Sequence, residues 1–356
     1  MNMHLNILEV LQSFNTWGEV INYYPIGNGH INSTYLCETS TGYKYVLQRI
    51  NNTVFKDVDM LMSNYSKVTK YLRHIGFGSI HLIKSKQNKY YFDNKGIQCR
   101  LYEYIDNVIC YEKIDNMELV FKAANAFGKL HKALKGFDAN ELGEVIPNFH
   151  NTWQRYQNLL SAIKEDKLDR VKTCLDEINK VKSFEKEYSK VVDAIKNGDI
   201  PLAVTHNDPK INNVLFDKDS GEIRAVIDLD TVMPGSYLYD FGDALRSLFT
   251  GDNEDSEDLS KLVVNYEIFD AYAKGYLAEM KDVLTKKEKE LLGFSAFLLS
   301  IECGMRFLED YIRGDVYFKI ARPDHNLIRA RTQITLATNI FKNLDKLNSI
   351  TKKYLD

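Results

Sequence analysis

The sequence predicts an α+β protein in which a small β-rich N-terminal lobe precedes a larger, mainly helical lobe. Three observations lead to this prediction. The first hundred residues hold β-type stretches around a single helical stretch, and from about residue 117 apolar residues recur at helical spacing. The chain of 356 residues is also longer than one core usually supports. We place the lobes at residues 1–104 and 105–356.

The elements of the N-terminal lobe follow from local patterns. INSTYLCE and, after a Thr-Gly turn, TGYKYVLQRIN form a predicted hairpin. KDVDMLMSNYSKVTKYLRHIG has its apolar residues at helical spacing, with Gly76 as a stop signal. KYYFDN and QCRLYEYI are the next predicted strands, which gives the order strand, strand, helix, strand, strand.

The remaining sequence predicts helices broken by one polar, strand-rich stretch. ELVFKAANAFGKLHKAL is amphipathic, and residues 152–197, 258–281 and 286–313 have helical patterns. RPDHNLIRARTQITLATNIFKNLDKL is predicted to form one closing helix.

Composition and charge exclude several classes of partner. The net charge is −3 and no basic stretch is interleaved with aromatic residues, so nucleic acid and anionic membranes are not expected as partners. The N-terminus lacks the features of a signal peptide, and no apolar run approaches the ~18 residues that span a bilayer. Five scattered cysteines indicate reduced thiols. We therefore expect a soluble cytoplasmic protein, of undetermined oligomeric state.

The stretch VTHNDPKINNVLFDKDSGEIRAVIDLD, residues 204–230, places polar residues at the ends of β-type runs. VLFD and IRAVID are separated by the turn signal KDSG, so they form a predicted hairpin. Asp208 and Asn213 precede this hairpin and Asp228 ends it. Because a hairpin brings its start and its end together, we expect these three side chains to surround one point.

The spacing Asp-x4-Asn is that of a kinase catalytic loop. In such loops the Asp takes the proton of the acceptor hydroxyl and the Asn binds Mg²⁺. A further Asp at the end of the hairpin would supply the main metal carboxylate, which suffices for Mg²⁺ beside substrate phosphates. On spacing alone, a solvated hairpin with a capping Asp at each end is the alternative.

HNDPKINNVLFD with AVIDLDTVMPG, followed by YDFGDALR, resembles the aminoglycoside phosphotransferase/choline kinase-like superfamily, and within it the N-acetylhexosamine 1-kinases. The resemblance extends, in the same order, through GNGHINSTY, YVLQRIN, IPNFHNTWQRY and MRFLEDYIRGDVYFK, and so covers most of the chain. It implies a bilobal protein-kinase-like (aminoglycoside phosphotransferase-like) fold with ATP between the lobes.

The resemblance also implies roles for the polar residues of residues 204–230. Asp208 is the expected catalytic base and contacts the substrate, and Asn213 and Asp228 are expected to hold Mg²⁺. Asp230 is a possible second acidic group. Lys210 either touches the γ-phosphate of ATP or is an ordinary surface lysine.

The literal D-F-G at residues 240–242 is not the metal motif in this interpretation. It opens a helical stretch instead of closing a hairpin, so Asp228 has the better position and Asp240 is expected to cap a helix or brace the catalytic loop. His206 is likewise expected to brace this loop. Asp243 and Arg246 are spaced to form an ion pair on one helix.

The nucleotide side rests on three stretches. The expected phosphate-covering loop contains Gly27, Asn28 and Gly29, where missing side chains let backbone N–H groups approach phosphate. In YVLQRIN no Lys matches the kinase V-A-I-K; Gln48 or Arg49 occupies the place, and we favour Arg49 for its charge. Its acidic partner is Asp57 or Asp59. RLYEYID resembles the hinge that meets adenine through its backbone, so Glu103 and Tyr104 are expected to act by position more than by side chain.

The acceptor side is expected to contain His30, Arg306 and Tyr317. Arg donates to several hydroxyls and Tyr packs on a sugar face. Alternatively, Arg306 pairs with Glu309 or Asp310 on its own helix. Ser247 stands where relatives often carry an aromatic residue, which predicts a wider pocket and only modest specificity for the acetamido group.

The expected activity is ATP- and Mg²⁺-dependent phosphorylation of the anomeric C1 hydroxyl of N-acetylglucosamine or N-acetylgalactosamine. The expected partners are therefore a small-molecule sugar and ATP. The alternatives are a kinase of another hexose, choline, homoserine or an aminoglycoside, and a non-catalytic relative that binds nucleotide or sugar.

Overall fold

The computed structural model describes residues 7–26, 33–111 and 116–355, which form two compact units. Unit 1 comprises Met1–Cys110, Asn140–Pro147 and Val214–Met233, and unit 2 comprises Tyr111–Ala139, Asn148–Asn213 and Pro234–Asp356. Three chain segments thus contribute to each unit. The assignment of two continuous lobes that meet at residue 104 stays a prediction.

The strands are short and most of them lie in unit 1. Their bounds are β1 Val20–Pro25, β2 Ser33–Thr39, β3 Lys44–Arg49, β4 Leu82–Ile83, β5 Phe92–Asn94, β6 Ile97–Glu103, β7 Val108–Ile109, β8 Ala203–Thr205, β9 Val214–Asp217, β10 Ile223–Val226 and β11 Met233–Gly235.

The helices supply most of unit 2. Their bounds are α1 Ile7–Gln12, α2 Val58–His74, α3 Met117–Leu134, α4 Thr152–Glu165, α5 Leu175–Ser183, α6 Lys190–Lys196, α7 Tyr237–Thr250, α8 Tyr266–Met280, α9 Lys286–Arg313, α10 His325–Lys342 and α11 Leu344–Leu355.

Unit 1 is built on an antiparallel sheet in the order β1-β2-β3-β6-β4, with β5 paired to β6. The predicted hairpin is β2 and β3, which pair with Tyr35 opposite Leu47. Its turn contains Gly42 at φ 83°, a conformation that favours glycine. The second predicted hairpin, β9 and β10, forms a smaller sheet with β7. Both hairpin predictions are confirmed.

Helix α2 matches the predicted helical stretch. The Asp57 side chain accepts a hydrogen bond from the Met60 N–H at 2.8 Å and so caps the first turn. The apolar face buries Leu61, Tyr65 and Val68, as the spacing requires.

Unit 2 has a single large core around α9. Helix α7 packs so closely on α9 that a Cβ at Gly242 would lie 2.4 Å from the Ser295 carbonyl oxygen. A Cβ at Gly275 of α8 would likewise lie 2.2 Å from the Phe121 carbonyl oxygen of α3. These glycines are therefore required by backbone approach.

Helix α9 is, among the described residues, the one helix long and apolar enough to cross a membrane by length and composition. However, 83% of its apolar window is buried inside the protein. A capping box between Thr285 and Glu288 starts it, and Gly314 at φ 101° ends it. Its burial is that of a core helix.

The closing segment differs from its prediction as one helix. Helix α10 ends at Lys342 and α11 begins at Leu344, with Asn343 between them. The Asn343 side chain donates to the Asn339 carbonyl oxygen at 2.8 Å and accepts from the Tyr266 hydroxyl at 2.6 Å. An Asn that binds the preceding turn competes with helix continuation, and no Gly or Pro marks the break.

Candidate active site

The predicted catalytic loop follows the buried strand β8 in unit 2. Asn207 adopts φ 63°, which turns the chain sharply before Asp208. The Asn213 side-chain amide donates to the Asp208 carbonyl oxygen at 2.8 Å, so the two ends of the Asp-x4-Asn spacing are tied together. The Asp208 N–H donates to His206 Nδ1 at 3.3 Å. Local hydrogen bonds thus fix the backbone at Asp208.

Lys210 is paired with the predicted base. Its Nζ lies 2.9 Å from Asp208 Oδ1. The Asp208 charge raises the pKa of Lys210, against the opposing effect of burial. About a quarter of the Asp208 side chain is exposed. Lys210, whose side chain is 45% exposed, is therefore a surface lysine that pairs with the loop's carboxylate, and its contact with the γ-phosphate stays a prediction.

Asp240 binds the catalytic loop directly. Its carboxylate accepts from the backbone N–H of His206 at 2.7 Å and of Asn207 at 2.6 Å, and it lies 2.7 Å from His131 Nε2. Burial raises the pKa of Asp240, but His131 and the His206 N–H outweigh burial and hold it below its usual value. Ser236, not Asp240, caps α7. The cap prediction is wrong, and Asp240 braces the loop.

Two buried histidines, which the sequence analysis missed, support this loop. His131 bridges Asp240 and the Tyr276 hydroxyl, at 2.7 and 2.8 Å. His150 Nδ1 lies 2.8 Å from Glu302, and its Nε2 lies 3.4 Å from the Asn207 carbonyl oxygen. His131 could have been noticed as a His at a buried position of the amphipathic stretch FGKLHKAL. His150 lies in the stretch IPNFHNTW, which carries part of the family resemblance.

The predicted pair on α7 is confirmed. Arg246 Nε donates to Asp243 Oδ1 at 2.6 Å, and both side chains are about nine-tenths buried. Burial raises the pKa of Asp243, but the Arg246 charge holds it below the usual value. The Lys210 charge also lowers the pKa of Asp243, so this ion pair interacts electrostatically with the catalytic loop.

Asp228 and Asp230 belong to unit 1. Asp228 has φ 61° directly before a single 3-10 turn, Leu229–Thr231. Asp230 in that turn forms a buried ion pair with Arg100, whose side chain is fully buried. The Arg100 guanidinium lies 4.4 Å from the centre of the Tyr65 ring. Asp230 thus has a cation as its partner, which does not fit the expected role as an additional metal carboxylate.

Arg100 is a buried cation of unit 1 that was not predicted from the sequence. Its Nε and Nη2 donate to Gln48 Oε1 at 3.0 and 2.7 Å. Burial lowers the pKa of Arg100, but Asp230 and the neighbouring tyrosines outweigh burial and raise it. The signal was an Arg within the apolar alternation of QCRLYEYI. Gln48, on β3, therefore faces this cluster.

Arg49, which we favoured for phosphate, is exposed at the end of β3. Neither proposed acidic partner contacts it: Asp57 caps α2, and Asp59 lies 3.5 Å from Lys89 and 2.8 Å from the Tyr91 hydroxyl. The phosphate contact of Arg49 stays a prediction.

Glu103 is the last residue of β6, and Tyr104 follows it. The Glu103 N–H donates to the His81 carbonyl oxygen at 3.0 Å, and the Tyr104 N–H donates to the Lys44 carbonyl oxygen at 3.0 Å. Adenine recognition by these residues stays a prediction and would use atoms other than those two N–H groups. Gly27, Asn28, Gly29 and His30 lie outside the described residues.

Arg306 and Tyr317 both contact the aromatic ring of Phe318. The Arg306 guanidinium lies 5.0 Å from the Phe149 ring and 5.5 Å from the Phe318 ring, and Tyr317 packs edge-on against Phe318 at 4.8 Å. Tyr317 is 56% exposed.

The alternative ion pairs of Arg306 do not form in the structure. Glu309 pairs with Arg313 at 2.9 Å, and Asp310 accepts the backbone N–H groups of residues 316–318 at 2.8–2.9 Å. Arg155 Nε and Nη2 donate to the Phe149 carbonyl oxygen at 3.1 and 3.0 Å, and Arg306 lies against the ring of the same residue. Burial lowers the pKa of Arg155, and the Arg306 charge lowers it further. Both guanidinium groups therefore lie beside Phe149 at the predicted acceptor side.

Residues 7–26, 33–111 and 116–355 contain no group of three or more His, Cys, Asp or Glu side chains arranged to hold a metal ion. The predicted ligands, one Asn and one Asp, are too few to form such a group. They match the small protein share of a Mg²⁺ shell that is completed by phosphate and water.

Several solved structures share this fold. An aminoglycoside phosphotransferase from Alicyclobacillus acidocaldarius covers 99% of this chain and 98% of its own, at 13% identity and TM-score 0.63. Plasmodium vivax ethanolamine kinase covers 91% and 83%, at 15% identity and TM-score 0.57. Amicoumacin kinase in complex with AMP-PNP and Ca²⁺ covers 89% and 88%, at 15% identity and TM-score 0.58. The predicted α+β kinase-like fold is confirmed.

The family follows from a sequence match. A family model described as the phosphotransferase enzyme family matches residues 23–277, so this chain belongs to that family. A kinase-like protein of Caenorhabditis elegans is 24% identical in an alignment of 190 residues that covers 45% of this chain. The chain matches about half the length (50%) of that curated relative. The predicted superfamily is confirmed, and the narrower assignment to N-acetylhexosamine 1-kinases stays a prediction.

Proposed function

We propose that this protein is an ATP-dependent kinase that phosphorylates the anomeric C1 hydroxyl of N-acetylhexosamines. The observation that carries the proposal is the catalytic loop of unit 2, where Asp208 is fixed by Asn213 and His206 on a loop that Asp240 braces. A partly exposed carboxylate whose backbone is held by several hydrogen bonds is typical of a catalytic group.

Asp208 is the proposed general base. It orients the acceptor hydroxyl and takes its proton as the bond to phosphorus forms. An anomeric hydroxyl is more acidic than the other sugar hydroxyls, so one carboxylate is an adequate base. Lys210, held 2.9 Å from Asp208, is proposed to contact the γ-phosphate and so to keep a positive charge beside the transferring group.

Asn213 and Asp228 are the proposed ligands of Mg²⁺. The Asn213 amide nitrogen already donates to the Asp208 carbonyl oxygen, which leaves its amide oxygen as the atom that faces a cation. When bound, Mg²⁺ would neutralise the charge of the ATP phosphates. The Asp228 assignment rests on the resemblance and on its position at the end of the β9–β10 hairpin.

The charges at the acceptor side support a neutral, hydroxyl-rich substrate. Arg155 and Arg306 both contact Phe149, the first through its carbonyl oxygen and the second over its ring, and the Phe318 ring also lies against Arg306. A cationic acceptor such as choline or an aminoglycoside would be repelled there, whereas a sugar accepts several hydrogen bonds from guanidinium groups. Tyr317, packed on Phe318, is proposed to contact the sugar ring.

A substrate screen tests this function. ATP consumption is measured with N-acetylglucosamine, N-acetylgalactosamine, glucose, galactose, choline, ethanolamine, homoserine and an aminoglycoside. The proposal expects the highest kcat/KM with an N-acetylhexosamine and slower turnover of the unmodified hexoses. Activity confined to the amines would exclude it.

A further inference from the structure

A small cavity lies beside the catalytic loop in unit 2. Its volume is about 100 Å³, and it is lined by Pro209–Asn212 of the loop, by α3, by α7 and by Tyr272 of α8. The α7 residues include Ser247, where an aromatic side chain would occupy part of this space. The cavity lies close to the proposed base, because Lys210 lines the cavity and its Nζ is 2.9 Å from Asp208 Oδ1.

One residue that lines the cavity has an unsatisfied polar atom. Tyr272 is 2% exposed, and within the described part of the chain its buried hydroxyl oxygen has no hydrogen-bond partner. The Tyr272 ring is held by an edge-on contact with Phe241 at 5.4 Å and by stacking with Tyr276 at 6.3 Å. A buried hydroxyl without a partner costs free energy, so its presence in a cavity indicates a ligand or a water that accepts from it.

Most of the remaining lining is apolar, and Lys210, Asn212 and Ser247 are its other polar residues. Val120, Ala123 and Phe127 of α3 and Ala244 of α7 are all almost fully buried. A small group that combines a hydrogen-bond acceptor for Tyr272 with an apolar end for these buried side chains fits this lining. An amide with a methyl substituent has this form, since its carbonyl oxygen accepts and its methyl packs on aliphatic carbon.

We infer that this cavity binds the acetamido group of the acceptor, with the Tyr272 hydroxyl donating to the amide carbonyl oxygen. This inference rests on the proposed function. In an N-acetylhexosamine the acetamido group is on C2, the carbon next to the anomeric carbon. A sugar whose O1 lies at Asp208 thus carries this group within reach of the cavity that Lys210 borders. The small side chain at Ser247 provides the space.

The test removes the hydroxyl and keeps the ring. In Tyr272→Phe the ratio of kcat/KM for N-acetylglucosamine to kcat/KM for glucose should fall about tenfold, the size of one hydrogen bond, mainly through KM. The melting temperature should be unchanged or higher, because an unpartnered polar atom is removed. Tyr188→Phe is the matched control: this buried hydroxyl donates to the Val181 carbonyl oxygen at 2.6 Å, away from the cavity, and its loss should leave the ratio unchanged.

A second measurement uses the unaltered enzyme and a series of N-acyl glucosamines. The N-acetyl sugar should be phosphorylated and the N-benzoyl sugar rejected, because about 100 Å³ cannot hold a benzoyl group beside the loop. Equal rates for the two sugars, or a ratio in Tyr272→Phe within twofold of the unaltered enzyme, would overturn the inference and assign the cavity to water. In those cases the proposed function survives. Absence of turnover with every N-acetylhexosamine would overturn both.

Discussion

The Asp208 carboxylate is the residue on which the proposed chemistry depends. Asp208→Asn should lower kcat by roughly two to four decades, the loss expected when a general base is removed, and leave the KM for the sugar nearly unchanged. Asp217→Asn is the matched control, because Asp217 lies in the neighbouring hairpin and binds only its own turn and Arg224. A kcat within tenfold of the unaltered enzyme would refute the role of Asp208.

Asp240 links the loop to the acid stability of the protein. Its pKa is lower in the folded state than in the unfolded chain, so its contribution to folding is present above about pH 4 and is lost as pH falls toward the folded pKa. Asp240→Asn should lower the free energy of unfolding at pH 7 by several kcal/mol, on the order of 3, because two backbone N–H groups lose a charged acceptor. Urea unfolding at pH 7 and at about pH 3, below the pKa of an unfolded Asp, should show a smaller loss on acidification in the variant. An equal loss in both proteins would contradict this account.

At the residue scale, the sequence predicts the members of the catalytic loop but not their supports. Asp208 and Asn213 are recognisable because their spacing is local. Arg100, His131 and His150 were missed because their partners are 130, 109 and 152 positions away along the chain. A single polar residue within an apolar pattern indicates that a polar partner is buried with it, but the pattern does not identify that partner.

At the element scale, the close approach of α7 and α9 should be sensitive to one methyl group. Gly242→Ala places a Cβ where the Ser295 carbonyl oxygen lies at 2.4 Å, so the helices must separate near the Asp240 end of α7. We expect a loss of about 1–3 kcal/mol in the free energy of unfolding, measured by urea denaturation. Lys164→Ala, on the exposed face of α4, should change it by less than about 0.5 kcal/mol. A neutral Gly242→Ala would show that this contact is not tight.

Elements with strong periodicity or turn chemistry were predictable, and an interruption without such signals was not. The β2–β3 and β9–β10 hairpins and α2 follow from alternation, from Gly-containing turns and from helical spacing. The break at Asn343 depends on hydrogen bonds to Asn339 and Tyr266, and the second of these partners is on another helix. Tertiary contacts therefore decide where that helix ends.

At the scale of the whole molecule, nucleotide binding should stabilise the protein through Asp228. A ligand that binds only the folded state raises its stability by RT ln(1 + [L]/Kd), about 2.7 kcal/mol at a hundredfold excess over Kd. Mg²⁺ with a non-hydrolysable ATP analogue should therefore raise the melting temperature, and Asp228→Ala should abolish this shift because the metal loses its main carboxylate. Asp240→Ala should lower the starting melting temperature but retain a shift. The reverse pattern would assign the metal to Asp240.

The family and the fold follow from features spread over the chain, whereas the substrate depends on a few side chains. The resemblance covers most of the sequence, and the family match spans residues 23–277. The acceptor depends on Arg306, Tyr317, Ser247 and the cavity at Tyr272, and no periodic pattern marks these positions. For this reason the acceptor remains the central claim to be tested.

The most direct test is a ³¹P NMR spectrum of the product formed from N-acetylglucosamine and ATP with Mg²⁺. The proposed reaction gives ADP and a sugar phosphate whose phosphorus couples to the anomeric proton H1. Phosphate on O6, or the absence of a sugar phosphate beside active phosphorylation of choline, would contradict the account.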